Sequence, residues 1–140
     1  MKIWPSKCAV RCRKGDNAVS RIVVIEDNPA NMKLATFLLN SAGHEVLQAT
    51  DAESGLALIR TEMPALVLMD IQLPGMDGLT ATRQLKADPL IAHIPVIALT
   101  SYAMKGDEET MRAAGCDSYL PKPIHHRELL ALVDKMLWEA

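Results

Sequence analysis

The stretch Leu66-Val67-Leu68-Met69-Asp70-Ile71-Gln72-Leu73-Pro74-Gly75-Met76-Asp77-Gly78 decides how this chain folds. Four apolar residues run into one carboxylate, Asp70, and the chain then turns through Leu73-Pro74-Gly75. An unbroken apolar run of this length suits a parallel strand buried on both faces, and Pro-Gly marks a turn. Asp70 is then either a routine polar residue at a strand end or the group the strand is there to hold. Its neighbours in the fold separate the two.

Working outward, the further strand candidates are Ile22–Ile25, Val46–Ala49, Val96–Leu99 and Ser118–Leu120. The runs at 22, 66 and 96 are continuously apolar and belong inside a sheet, whereas those at 46 and 118 are more polar and suit its edges. Helical spacing fills the gaps. Met32, Ala35, Leu38, Leu39 and Ala42 line one face ahead of Gly43, a C-terminal cap. Thr50-Asp51-Ala52-Glu53 has the form of a capping box before Leu56 and Ile59. Gly78 to Lys86 predicts a third helix closed by Asp88-Pro89, Lys105 to Ala114 a fourth ended by Gly115, and His125 to Trp138 a fifth. The alternation predicts an α/β fold, a three-layer (βα)5 doubly wound sandwich with a parallel sheet in the flavodoxin-like order 2-1-3-4-5. Ligands of such sheets bind beyond the strand C-termini, where the order reverses between strands 1 and 3.

Composition agrees with one globular domain: 140 residues, 49% hydrophobic and 23% charged. No window approaches the ~20 apolar residues of a membrane span, and residues 1–20 hold no apolar signal core, so no membrane association and a cytoplasmic setting are expected. Cys8, Cys12 and Cys116 supply no paired disulfide framework, and three cysteines fall short of a four-ligand zinc site. Residues 1–20 carry a surplus of four positive charges, which leaves −6 on the rest of a chain whose net charge is −2. That acidic body argues against direct nucleic-acid binding. The chain therefore divides into a basic extension, 1–20, read as a disordered tail or leader, and a domain at 21–140.

Chemistry-bearing residues cluster just past the strands. Glu26-Asp27-Asn28 follow the first, Asp70 the third, Thr100-Ser101 the fourth and Lys122-Pro123 the fifth. Singly, Asp27 or Asn28 could cap a helix that Pro29 begins, Thr100 could end a strand, and Lys122 could be solvated. Jointly they are three carboxylates, a hydroxyl and an ammonium converging on one edge. Like charges about 4 Å apart repel by roughly 4 kcal/mol at an effective dielectric of 20, so the acids need a raised pKa or a cation. Carboxylate oxygens suit a hard divalent ion, and Mg²⁺ accepts one or two of them plus a phosphate oxygen.

These residues carry a resemblance. Val24-Ile25-Glu26-Asp27-Asn28, Leu68-Met69-Asp70 through Gly78, Ala98-Leu99-Thr100-Ser101 and Tyr119-Leu120-Pro121-Lys122-Pro123 resemble the receiver domain of bacterial two-component response regulators over about residues 21–140. Asn31-Met32-Lys33-Leu34 and Ala103 to Glu109 are similar to the single-domain regulators of the DivK type. The resemblance implies that Asp70 accepts a phosphoryl group from a phosphohistidine of a sensor histidine kinase or histidine phosphotransfer protein. It implies Mg²⁺, with Mn²⁺ as a substitute, on Asp27, Asp70 and the Gln72 backbone carbonyl, and on Glu26 through water. Lys122 and Thr100, with Ser101 beside it, would bind phosphoryl oxygens. Phosphorylated Asp70 would draw Thr100 inward and open space for the Tyr119 ring, remodelling the face made by helix 4, strand 5 and helix 5 on which a downstream protein target docks. Gln72 and Tyr102 stand where phosphoryl lifetime is tuned, and Lys122-Pro123 would be a cis peptide. The chain would be a signalling phosphoacceptor rather than an enzyme.

Departures from that pattern are small: Glu26-Asp27 replaces an Asp-Asp pair, and Pro121 removes a donor at an edge strand, where this is tolerated. A haloacid-dehalogenase-type phosphatase would want an acid two residues after its nucleophile, where Gln72 stands. A flavodoxin-like electron carrier would find its flavin phosphate repelled by Glu26-Asp27. A receiver excised from a hybrid histidine kinase or multidomain regulator remains an alternative. His125 and His126 suit a helix start, and His44 and His93 suit loops.

Overall fold

A computed structural model of the chain describes residues 20–101 and 105–139, with backbone alone at 105–107, 138 and 139. The basic arm at 1–19 with Cys8 and Cys12, and Tyr102 between strand 4 and helix 4, lie outside the described residues. In chain order the elements are β1 (Arg21–Ile25), α1 (Pro29–Ser41), β2 (Glu45–Ala49), α2 (Ala52–Glu62) and β3 (Leu66–Asp70). They continue with α3 (Gly78–Ala87), β4 (Val96–Thr100), α4 (Lys105–Ala114), β5 (Ser118–Pro121) and α5 (His126–Glu139). The five strands form one parallel sheet in the order β2-β1-β3-β4-β5, as the apolar pattern predicts.

The contrast between inner and outer strands follows from covering both faces of the sheet. Every residue of β3 and β4 is buried, as are four of the five in β1, whereas β2 and β5 each bury one. Alternation along each strand then sorts side chains into two cores. Ile22, Val24, Leu66, Leu68, Ile97, Leu99 and Leu120 face α1 and α5, meeting Ala35 and Leu39 of the first and Leu129 and Val133 of the second. Val23, Ile25, Val67, Met69 and Val96 face the other way, toward Leu56 and Ile59 of α2 and Ala81 and Leu85 of α3. Each such fully buried aliphatic contributes roughly 1.5–3 kcal/mol by removal from water.

Helix starts are fixed by side-chain caps. Asn28 Oδ1 accepts from the amides of Ala30 (2.9 Å) and Asn31 (3.2 Å) and caps α1 with Pro29 next to it. Of the two candidates it is Asn28 that caps, which leaves Asp27 for other use. Asp77 Oδ1 caps α3 through the Thr80 amide at 2.8 Å. For α2 the expected capping box is one residue out of register: Asp51, not Thr50, is the N-cap, and its Oδ1 accepts from Ser54 N at 2.8 Å. Both residues are good caps, and the carboxylate is the stronger acceptor at a helix N-terminus. Cys116 is half-buried against the second core, near Thr82. His44 is half-buried in the α1–β2 loop, and His93, His125 and His126 are exposed.

Gly55 brings α2 close to β1. A Cβ built there would stand 2.3 Å from Ile25 Cδ1, in a fully buried side chain. Alanine gains about 1 kcal/mol of helix propensity, but overpacking costs roughly 1–3 kcal/mol. Gly55→Ala is therefore expected to lose about 1 kcal/mol net, read as a lower midpoint in urea unfolding; a raised midpoint would show that Ile25 has room to move aside.

Candidate functional site

The sheet register builds the site. Ile25 pairs with Met69, so Glu26, one residue past β1, arrives level with Asp70, the last residue of β3. Asp70 pairs with Leu99, and Thr100 ends β4 one step further, opposite Pro121 of β5. Glu26, Asp70 and Lys122 have the strand parity of Val24, Leu68 and Leu120, so they extend the core facing α1 and α5. Thr100 has the opposite parity, shared with Ala98, whose register partner is Tyr119. β3 and β4 each run one residue longer than the apolar runs alone predict, because Asp70 and Thr100 still pair.

Burial makes this edge electrostatically tense. Glu26 and Asp70 are each 1% exposed and Thr100 4%. The Lys122 ammonium stands 3.1 Å from Glu26 Oε1 and 3.1 Å from Asp70 Oδ2, in ion pair with both. The Asn28 amide donates to Glu26 Oε2 at 3.1 Å, and the Gln72 amide donates to Asp70 Oδ1 at 3.0 Å. Burial and then the neighbouring Asp70 raise Glu26 from 4.5 to about 7, against the Asn28 amide and Lys122, which lower it. Burial alone would lower the Lys122 ammonium, but Glu26 and Asp70 together outweigh it and raise the lysine.

The remaining predicted residues fall around this centre. Asp27 is exposed at its mouth, and one carboxylate oxygen from each of Glu26, Asp27 and Asp70 lies within 4.8 Å of the others. Those three could hold a metal ion: at such spacing two negative charges repel by roughly 3–4 kcal/mol at a dielectric of 20, and Lys122 is one cation against three acids. Glu26 Oε1 is buried with the lysine as an ion-pair contact but no aligned hydrogen bond, which leaves acceptor capacity at the centre. Ser101 is exposed, Tyr119 half-buried, and the Gln72 side chain exposed. The Lys122-Pro123 peptide is cis. Beside the acids, α1 and the end of β2 bound a groove of about 460 Å³ lined by Asp27, Met32, Lys33, Phe37 and Gln48. Phe37, 66% exposed, stands on its rim.

Two features were not anticipated from sequence. Glu26, expected to reach a metal through water, is in addition a direct ion-pair partner of Lys122. Gly78, read as a helix opener, packs against the backbone of Asp70 itself.

Comparison with known proteins agrees with this geometry. Residues 22–134 match the response regulator receiver domain, and the chain belongs to that family. Among curated relatives, the polar-differentiation response regulator DivK of Brucella anthropi is 43% identical over 119 residues, covering 85% of this chain and 97% of its own. The receiver domain of a sensor histidine kinase from Pseudomonas aeruginosa, solved with a magnesium ion coordinated in its active-site cleft, is 33% identical with a TM-score of 0.80. It covers 86% of this chain and 98% of its own. A CheY-like receiver domain protein from Methanospirillum hungatei is 33% identical with a TM-score of 0.78, over 86% of this chain and 94% of its own. The family's partners are histidine kinases or phosphotransfer proteins. Among the described residues no helix is long and apolar enough to cross a membrane.

The raised pKa of Glu26 fixes the sign of a pH effect. Its folded value of about 7 lies above 4.5, so the native state holds the extra proton; the stability this contributes is full below about pH 4.5 and lost as pH rises to about 7. In metal-free buffer, Glu26→Gln is expected to flatten that part of the stability profile, measured by urea unfolding across the window. A profile as steep as that of the wild type would assign the titration to another group.

Proposed function

We propose that this chain is a phosphoacceptor: Asp70 takes a phosphoryl group from a phosphohistidine of a sensor histidine kinase or histidine phosphotransfer protein. The observation that carries this is the Lys122 ammonium held 3.1 Å from both Asp70 and Glu26, beside exposed Asp27, at the strand ends of a receiver domain. An Asp70 carboxylate oxygen attacks phosphorus, the P–N bond breaks, and the histidine nitrogen leaves with the electron pair. The transition state spreads charge over three oxygens, so positioned cations and donors supply most of the catalysis.

Asp27, Asp70 and the Gln72 carbonyl would hold Mg²⁺, with Glu26 reaching it through water. That ion supplies positive charge to the transferring phosphoryl oxygens and offsets the acids. Lys122 binds one phosphoryl oxygen and already stands at Asp70 Oδ2. Thr100 and Ser101 offer hydroxyls to another. The groove along α1, with exposed Phe37, gives an approaching donor an apolar wall next to the carboxylates. Drawing Thr100 toward the phosphoryl group would open space for the Tyr119 ring and alter the α4-β5-α5 face for a downstream protein. The output is binding rather than turnover, the setting is the cytoplasm where such kinases present their phosphohistidine, and neither nucleic acid nor a membrane is a direct partner.

The central test is mass spectrometry after incubation with acetyl phosphate and Mg²⁺. One phosphoryl group is expected on the wild type, lost on chelation of Mg²⁺ before mixing and absent from Asp70→Asn; the same mass gain in Asp70→Asn would refute the assignment. A second measurement addresses Tyr102, two residues past Thr100. If its ring shields the aspartyl phosphate from water, Tyr102→Ala shortens the phosphoryl lifetime, and an unchanged hydrolysis rate removes Tyr102 from the site.

A further inference from the structure

We propose that Gly78 is a positioning residue for phosphoryl acceptance, because its missing side chain lets the first turn of α3 seat directly on the Asp70–Ile71 peptide. This rests on Asp70 being the acceptor. A Cβ built at Gly78 would lie 2.2 Å from the Asp70 carbonyl oxygen, 2.9 Å from its carbon and 2.8 Å from Ile71 Cα. All three are backbone atoms, so no rotamer change relieves the contact. Gly55 differs, since its near neighbours belong to the Ile25 side chain.

The seat is held from several sides. The Gly78 amide donates to the Ile71 carbonyl at 2.9 Å and closes the neck of the loop at 71–77. The buried Thr82 hydroxyl donates to the Gly78 carbonyl at 2.8 Å, and Asp77 caps the same turn through Thr80. Within the loop, Leu73 is buried in the core facing α2 and α3. The Gln72 amide holds Asp70 Oδ1 at 3.0 Å, while Oδ2 meets Lys122. The loop thus fixes the acceptor carboxylate through the Gln72 amide, and Gly78 sets where the loop closes.

A side chain at 78 cannot be absorbed by β3, which is buried throughout and paired on both sides. Ordinary contact begins at 3.4 Å, so the 2.2 Å approach demands a displacement of about 1.2 Å, which falls on α3 and the loop. Phosphoryl transfer depends on position, and a misplacement of about 1 Å can cost on the order of a hundredfold.

The test uses the full chain as wild type and Gly78→Ala, at a temperature where both are folded. Mg²⁺ is titrated while the Gln72 backbone amide is followed by NMR, and phosphoryl uptake from acetyl phosphate is timed by mass spectrometry at saturating Mg²⁺. The expected result is a shifted Gln72 amide before metal is added, with the Mg²⁺ Kd weaker and uptake slower by about tenfold or more. A purely structural glycine would lower the unfolding midpoint but leave the Gln72 signal, the Kd and the rate within about twofold of wild type, and that result overturns the proposal. Should Gly78→Ala fail to fold, Asp77→Ala decides: it loosens the same turn without adding an atom at the seat. Several-fold losses in affinity and uptake support the proposal, and wild-type values overturn it. A wild type that takes no phosphoryl group refutes the acceptor reading instead, while the Gln72 and Mg²⁺ measurements still judge Gly78.

Discussion

The rest of the site depends on one ammonium group between two buried carboxylates. Lys122 bridges Glu26 and Asp70, each about 1% exposed, and without it two acids would face each other in a nearly dry edge of the sheet. Removing one partner of such an arrangement leaves an uncompensated buried charge, so each of the three holds the other two in place. The balance is incomplete even so. Asp27 adds a third carboxylate at the mouth, while burial, and after it the neighbouring Asp70, raise Glu26 to about 7. A divalent cation would settle the same imbalance without a proton.

The ammonium reaches that position because three strands end in step. Parallel pairing brings Glu26, Asp70 and the start of the Lys122 loop to one level, and strand alternation puts their side chains on the face toward α1 and α5. The apolar cores do this work indirectly. Leu68 and Met69, fully buried on opposite faces, allow β3 no slip of one residue, since a slip would exchange its two faces. The cost of that slip is counted in several buried side chains, far more than the repulsion at the site can repay.

Most of this frame was legible because it rests on period and position. Continuous apolar runs marked β1, β3 and β4 as inner strands, and the polar ones at β2 and β5 marked the edges. Caps were legible as residue types but not always in register: Thr50 and Asp51 are both competent, and it is the Asp51 carboxylate that accepts from the Ser54 amide. The end of α2 carried no glycine signal. Met63 takes the left-handed conformation at φ 49, and Pro64 stops the helix beyond it. At the site, residue types announced the acids, the hydroxyl and the lysine, but not that Glu26 pairs with Lys122 directly. That contact is set by side-chain length. Glutamate, one methylene longer than aspartate, reaches from the end of β1 to the ammonium. The close approach of Gly78 was hidden for a similar reason, since a glycine opening a helix is commonplace and only packing shows what its hydrogens touch.

The site and the surface it is proposed to control share backbone as well as charge. The Lys122 amide donates to the Thr100 carbonyl at 2.7 Å, so the cation that steadies Asp70 hangs from the residue whose hydroxyl would read the phosphoryl group. Thr100 in turn has the parity of Ala98, which pairs with Tyr119. A pull on the Thr100 side chain therefore acts on the tip of β4, to which both the Lys122 loop and the Tyr119 strand are bonded. In the proposed switch, charge arriving at Asp70 would not need a long pathway to reach the face of α4, β5 and α5. One hydrogen-bonded pair of strand ends separates them, and the buried acids on one side of that pair are what make its position sensitive to charge.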